Sequence, residues 1–275
     1  MTLILGMSKA EGIYMCTDYR LTQGGAIVDD ATVKYVTVHY PPFEGGPKAL
    51  VGYTGIAILP DGTSTGTWIR ETLRGEENFF DDSMAHLLSR LNRDIAPLRQ
   101  MLTVNVLALH GERRYFGGLS NLRLDHALRP AVQHSFGYEL RELTAPFFFW
   151  NGSGAARVVS DGHEKRVIAQ LSVNPRRPRD HMGLLAAVNR RVAAKESSVS
   201  PFCQACFVSA DDRYSGGSFV FAEPGESTPF EMPLLFNGLD LSISAAQGYE
   251  TILALKEGRI PAYVDEAKKG PYRRA

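Results

Sequence analysis

The chain has 275 residues, of which 44% are hydrophobic and 22% are charged, as is usual for a globular protein. Its 30 basic and 30 acidic residues cancel, so it lacks the charge footprint of a nucleic-acid-binding protein. No apolar run approaches the roughly 20 residues of a membrane helix, and no signal peptide opens the sequence. We therefore expect a cytoplasmic protein without membrane or nucleic-acid partners.

Two short apolar runs open the chain, LILGM at 3–7 and IYMCT at 13–17, and they predict two strands. If these strands pair as a hairpin, Asp18 at the end of the second lies close to the start of the first. A third strand is predicted at 33–38, with Lys34 near its beginning. The start of the chain thus predicts that an acid and a base lie close together.

Thr2 follows Met1, and because a methionine aminopeptidase accepts small second residues, we expect Thr2 to become the mature N-terminus. Its hydroxyl then shares a residue with a free α-amine, whose unperturbed pKa is about 7.7–8.0. A hydroxyl with a base in the same residue is a minimal acyl-transfer nucleophile. Lys34 beside that hydroxyl favours its ionised form, and Asp18 holds the lysine protonated and oriented.

The next elements predict strands, then two helices, then strands. An apolar strand is expected at 48–55, a helix toward the end of 61–75, and a second helix at 81–98 with apolar residues at three-to-four spacing. Alternating residues predict strands at 102–109 and 113–119.

The second half of the chain repeats this order. The aromatic run APFFFW at 145–150 fits a strand buried on both faces, with an aromatic ligand box as the alternative. Helices are predicted at 154–171 and 180–196, and strands at 202–209 and 217–222. Two sheets packed face to face, with a helix pair on each outer side, would produce this order.

The end of the chain differs in character. Residues 223–275 contain several prolines, a predicted helix at 243–257 and a basic terminus. We interpret this segment as an extension that packs on the main domain, residues 1–222, or on a neighbouring subunit.

The cysteines are Cys16, Cys203 and Cys206, an odd and sparse set that does not predict a disulfide framework. Cys203 and Cys206 have the spacing of a zinc half-site or redox pair, but in a strand they point to opposite faces. There is no second pair, and the histidines form no i,i+4 pair on a predicted helix. We expect buried small residues, no metal site and no cofactor.

The spacing of Thr2, Asp18, Arg20 and Lys34 resembles that of proteasome β-subunits. The likeness continues through ALVGYTG at 49–55 and reappears in NGSGA at 151–155, and it covers roughly residues 2–222. A start at Met-Thr resembles the bacterial stand-alone homologues HslV, Anbu and the β-proteobacterial proteasome homologue. The length and the C-terminal extension are most similar to the last.

This resemblance implies an α+β fold, the four-layer αββα sandwich of the N-terminal-nucleophile hydrolases. It implies a threonine endopeptidase that degrades peptides or unfolded proteins inside a homo-oligomer of stacked rings, with twelve or fourteen subunits. It also implies an ATPase unfoldase as partner.

The resemblance assigns further residues. The backbone N–H of Gly52 makes the oxyanion hole, Ser153 hydrogen-bonds the N-terminal amine, and Arg20 braces the loop after Asp18. A structural ion pair is the plainer interpretation of Arg20, and it amounts to nearly the same role.

One segment departs from the family pattern Asp-x-x-Ser-Gly after the fourth helix. This chain has KESSVSP at 195–201, so that Glu196, one methylene longer, falls where the aspartate is expected. Either Ser198 or Ser200 could replace the serine, and no glycine follows.

The resemblance also implies a specificity pocket for the side chain that precedes the scissile bond. Its lining would be uncharged and mostly aliphatic, from Leu21, Thr32, Val36, Leu50, Thr54 and Ile58. Burial of a bulky apolar side chain there contributes roughly 1.5–3 kcal/mol, whereas a charged one lacks a partner. We therefore expect cleavage after hydrophobic residues.

Two alternatives to the peptidase keep the same fold. One is a ring-forming scaffold or binding chamber with an inactive site, which the altered Glu196 segment favours. The other is a small-molecule amidase, although amidases of this fold usually begin with Cys or Ser.

Overall fold

The computed structural model describes residues 2–23, 26–42, 45–75, 79–124, 130–171, 177–211, 216–222 and 230–261. The strands of these residues are β1 (Leu3–Lys9), β2 (Gly12–Asp18), β3 (Leu21–Gln23), β4 (Ala26–Asp29), β5 (Tyr35–His39), β6 (Lys48–Gly55), β7 (Leu102–His110), β8 (Arg113–Leu124), β9 (Pro130–Glu142), β10 (Phe147–Gly152), β11 (Cys203–Ser209), β12 (Gly216–Phe221), β13 (Leu234–Phe236) and β14 (Leu239–Asp240).

The α-helices are α1 (Thr65–Leu73), α2 (Phe80–Arg90), α3 (Ala155–Ser160), α4 (His163–Leu171), α5 (Pro178–Ala193) and α6 (Ser242–Glu257). Helices and sheets are mixed, which confirms the expected α+β class. Among the described residues, no helix combines the length and the apolar character needed to cross a membrane.

A five-stranded sheet brings the two ends of the first hairpin together. Its order is β10-β1-β2-β11-β12, and β1 pairs antiparallel with β2. Because Ile4 lies opposite Thr17, the chain enters β1 at Thr2 beside the point where β2 ends at Asp18. The predicted hairpin is therefore formed, and both strands are buried along their whole length.

A seven-stranded sheet has the order β14-β13-β5-β6-β7-β8-β9. Lys34 directly precedes β5, which pairs antiparallel with β6 and places Tyr35 opposite Gly52. On its other side β5 pairs in parallel with β13, so that Leu234 lies opposite Thr37. Residues beyond 230 thus extend the same sheet that presents Lys34.

The first apolar core lies between the two sheets. It contains side chains of both sheets, such as Ile4 and Met15 from one and Leu50 and Leu107 from the other. At about 25 cal/mol per Å² of apolar surface, such burial is the main stabilising term.

Two further cores lie on the outer faces of the sheets. Val51 of β6 packs with residues of α1 and α2, and Cys16 of β2 packs with residues of α3, α4 and α5. Each sheet is therefore covered on both faces, which explains why β1, β2 and β6 are almost continuously apolar.

The aromatic run at 145–150 also has apolar cores on both of its faces. Phe148 belongs to the outer core beside the helices, and the next residue, Phe149, belongs to the core between the sheets. Cys203 and Cys206 divide in the same way, and all three cysteines are free and buried. The interpretations as a strand buried on both faces and as small buried residues are confirmed.

Some predicted boundaries were wrong. The single helix expected at 154–171 is two helices, because the chain turns at Gly162, whose φ of 67° suits glycine. The helix expected at 81–98 leaves α-helical geometry after Arg90 and ends in a π-helical turn (Leu91–Ile95) and a 3₁₀ turn (Ala96–Leu98). The β3–β4 hairpin and strands β9, β13 and β14 were not predicted.

Candidate active site

Thr2, Asp18 and Lys34 meet at the edge of the core between the sheets. Oδ1 of Asp18 accepts hydrogen bonds from Thr2 Oγ1, from the Leu3 backbone N–H at 2.8 Å and from Lys34 Nζ at 2.9 Å. Thr2 is only 3% exposed, and the other two side chains are fully buried. The spacing that marked these residues in the sequence corresponds to direct contact.

The second carboxylate oxygen of Asp18 fixes two other segments. Oδ2 accepts the backbone N–H of Arg20 at 3.1 Å and that of Ser200 at 3.0 Å. Hydrogen bonds to both oxygens hold the carboxylate in one orientation, and this orientation in turn sets the direction of Lys34.

Lys34 uses its three ammonium donors on three oxygens. Nζ donates to Thr2 Oγ1 at 2.5 Å, to Asp18 Oδ1, and to the carbonyl of Arg20 at 2.6 Å. Burial lowers the pKa of Lys34 below its usual value, and the negative charge of Asp18 opposes this shift. In its protonated form, held by Asp18, Lys34 places a positive charge beside the threonine oxygen.

A second chain of hydrogen bonds reaches the backbone of Thr2. The Ser153 N–H donates to the Thr2 carbonyl at 2.8 Å, and its hydroxyl lies 3.4 Å from the same oxygen. The Ser153 and Ser198 hydroxyls are 2.8 Å apart, and Ser198 Oγ donates to Glu196 Oε1 at 2.7 Å. Ser198 rather than Ser200 thus joins Glu196 to Ser153.

Arg20 forms a brace beneath the site. Its guanidinium donates to both oxygens of Asp30, at 3.2 and 2.7 Å, and to the carbonyls of Ser197 and Val199 at 2.8 and 3.4 Å. The loop that carries Ser198 is therefore tied to the loop after Asp18, as both interpretations of this arginine require.

Gly52 lies in the middle of β6, facing the first sheet. A Cβ atom at this position would lie 2.6 Å from Met15 Sδ and 3.2 Å from Ile4 Cδ1, so a larger residue would displace the ends of these side chains. The oxyanion role of its N–H stays a prediction.

The six residues expected in the specificity pocket do not all share one space. Leu50 packs between the sheets, whereas Val36 belongs to the core on the other face of the same sheet. Leu21 and Thr54 are buried, and Ile58 forms an isolated bridge with Ser64. Thr32 and Val36 line one cavity, of about 300 Å³.

That cavity contains charged groups that the sequence interpretation missed. Arg70 of α1 and Glu231 of the C-terminal segment line it together with Thr32 and Val36. No local pattern places residues 70 and 231 beside residue 32, because they meet only through the fold.

A buried polar network, also missed, lies behind the site. Tyr19 and Tyr35 directly follow Asp18 and Lys34, and both contact Gln204. The Tyr19 hydroxyl donates to Gln204 Oε1 at 3.0 Å, and Gln204 Nε2 donates to the Tyr35 hydroxyl at 2.6 Å. A glutamine inside the apolar strand FCQACFV was the signal for such a network, because a buried amide needs partners.

Comparison with known proteins identifies the fold. No protein-family model matches the chain, and no curated protein matches it. Among solved structures, Anbu (ancestral beta-subunit) from Yersinia bercovieri aligns with a TM-score of 0.55 and 13% identity over 95% of this chain and 98% of its own. An Anbu (Gly-1) mutant from Hyphomicrobium sp. strain MC1 aligns with a TM-score of 0.54 and 12% identity, over 94% of this chain and 98% of its own. The fold is therefore proteasome-like.

Asp18→Asn removes the charge that balances Lys34 while keeping the shape of the side chain. Loss of one partner from a fully buried pair costs about 3–5 kcal/mol, so we expect the free energy of unfolding to fall by that amount. Asp30→Asn, which affects the half-exposed pair with Arg20, should cost at most about 1 kcal/mol. Chemical denaturation measures both, and equal losses would contradict the assignment of Asp18.

Proposed function

We propose that this chain is a bacterial proteasome homologue, a threonine endopeptidase whose nucleophile is Thr2 after removal of Met1. The observation that carries the proposal is the contact of one hydroxyl with two buried charged groups. Thr2 Oγ1 accepts from Lys34 Nζ and donates to Asp18 Oδ1, and both partners are fully buried. Such an arrangement costs stability, and nucleophile activation is a reason for a protein to retain it.

In the proposed reaction, Thr2 Oγ attacks the carbonyl carbon of a peptide bond. The proton of the hydroxyl passes to the α-amine of the same residue, directly or through one water. Lys34 stabilises the negative charge that develops on Oγ, and the Gly52 N–H stabilises that on the carbonyl oxygen. The C–N bond then breaks, the leaving amine takes the proton, and water hydrolyses the ester on Thr2.

The contacts of Glu196 favour an active site over an inactive scaffold. The scaffold alternative depended on the altered segment at 195–201, yet Glu196 reaches Ser198, and Ser198 reaches Ser153. In the proposal this chain of hydrogen bonds positions the N-terminal residue. Assays with peptides and with small amides distinguish the two activities, because a peptidase hydrolyses the peptides and an amidase the small amides.

The same proposal includes the enclosure of the active site in a ring and the division of the chain into two parts. We infer a cytoplasmic homo-oligomer of stacked rings, supplied with unfolded chains by an ATPase. The division into residues 1–222 and an extension at 223–275 also remains proposed. The parallel pairing of β13 with β5 supports an extension that packs on its own domain.

A β-lactone should label Thr2, because its hydroxyl opens the ring and adds the mass of the whole inhibitor. We expect one adduct per subunit in protein whose intact mass confirms the loss of Met1. Peptide mapping should place the adduct on Thr2, and Thr2→Ala should abolish it. Thr251→Ala, on α6, is the matched control and should be labelled like the parent protein. Undiminished labelling of Thr2→Ala would refute the assignment of Thr2 as the nucleophile.

The ring proposal is tested by sedimentation velocity at micromolar concentration. A peptidase that accepts unfolded chains must be enclosed, so we expect a particle of twelve or fourteen subunits. A stable monomer or dimer would contradict this part of the proposal and leave the chemistry of Thr2 open to the labelling test.

A further inference from the structure

The cavity that contains Thr32 and Val36 borders the chain segment that carries Lys34. Residues on both sides of Lys34 line it, namely Val33 before and Tyr35 after. Lys34 Nζ bonds Thr2 Oγ1 at 2.5 Å, so the segment that borders the cavity also contacts the proposed nucleophile. With about 300 Å³, the cavity is large enough for one side chain.

One wall of the cavity comes from the C-terminal segment, which is held by the backbone. The Glu231 carbonyl accepts a hydrogen bond from Gln204 Nε2, and the Pro233 carbonyl accepts the Thr37 N–H at 2.8 Å. Gln204 is fully buried, so the position of Glu231 is fixed by the network that also contacts Tyr19 and Tyr35.

The positive groups of the cavity already have partners. Arg70 forms an ion pair with Asp240 at 3.3 Å, with both side chains about one-quarter exposed. At the positive end of α1, the Ser64 hydroxyl accepts the Thr67 N–H at 3.1 Å. Asp240 and Ser64 thus offset part of the positive charge that Arg70 and the start of α1 give the cavity.

The carboxylate of Glu231 differs from these groups. Within the described residues it has no hydrogen bond or ion pair through its side chain, although it lines the cavity and is accessible. Partial burial raises the pKa of Glu231, and the charge of Arg70 opposes the shift while that of Asp29 adds to it. A cation in the cavity would be the missing partner.

We propose that Glu231 is a specificity-determining residue, which directs cleavage to follow basic side chains. This inference rests on the proposed peptidase function and names its substrate class. It replaces the hydrophobic preference expected from the six uncharged residues, because the fold brings a carboxylate from the C-terminal segment into the space beside Thr32 and Val36.

The test is a set of fluorogenic peptides that differ only in having Arg, Leu or Glu before the scissile bond. The parent protein, with Met1 removed, should cleave the Arg peptide fastest and the Glu peptide slowest. In Glu231→Gln the Arg-to-Leu ratio of kcat/KM should fall roughly fivefold, as expected for one accessible ion pair. Glu71→Gln, the same change at an exposed residue of α1, is the control and should leave the ratio unchanged.

Two results would overturn the inference while leaving the peptidase intact. One is faster cleavage after Leu than after Arg, and the other is an Arg-to-Leu ratio unaffected by Glu231→Gln. If no peptide is cleaved, the proposed function fails, and binding decides the role of Glu231. Fluorescence anisotropy on Thr2→Ala should then show tighter binding of the Arg peptide, lost when Glu231→Gln is added. Equal binding would reject the cation site.

Discussion

The buried ion pair of Asp18 and Lys34 is the interaction on which the rest of the site depends. Both groups are removed from water, and the attraction between them offsets this cost only with good geometry and further hydrogen bonds. Asp18 receives donors on both oxygens, and Lys34 finds an acceptor for each of its donors. An uncompensated pair would not be retained in this position.

The donors of this pair come from separate parts of the chain and fix those parts to one another. The N–H groups of Leu3, Arg20 and Ser200 belong to the first strand, the loop after the second and the turn before β11. Satisfying one carboxylate therefore also positions the segment that carries Glu196 and Ser198. Through Ser198, Glu196 is linked to Ser153, which contacts the Thr2 carbonyl.

The sequence predicted what depends on local pattern or on adjacent strands. Apolar runs identified β1, β2 and β6, and hairpin pairing was enough to place Asp18 beside Thr2. It did not reveal the place of Glu231 or the partners of Gln204, because these residues meet their neighbours only through the fold and no periodicity records such contacts. Leu50 and Val36, both expected in the specificity pocket, lie on opposite faces of one sheet, and the role of the six residues stays a prediction.

We propose that Lys34 acts on the oxygen of Thr2, and the turnover number of Lys34→Met tests this role. Removal of one such group from a preorganised site typically costs about 10²–10³ in kcat. We expect a loss of at least that size in a variant that circular dichroism shows to be folded. Lys165→Met, a change at an exposed lysine of α4, should leave turnover unaffected. Near-normal peptide hydrolysis by folded Lys34→Met would contradict it.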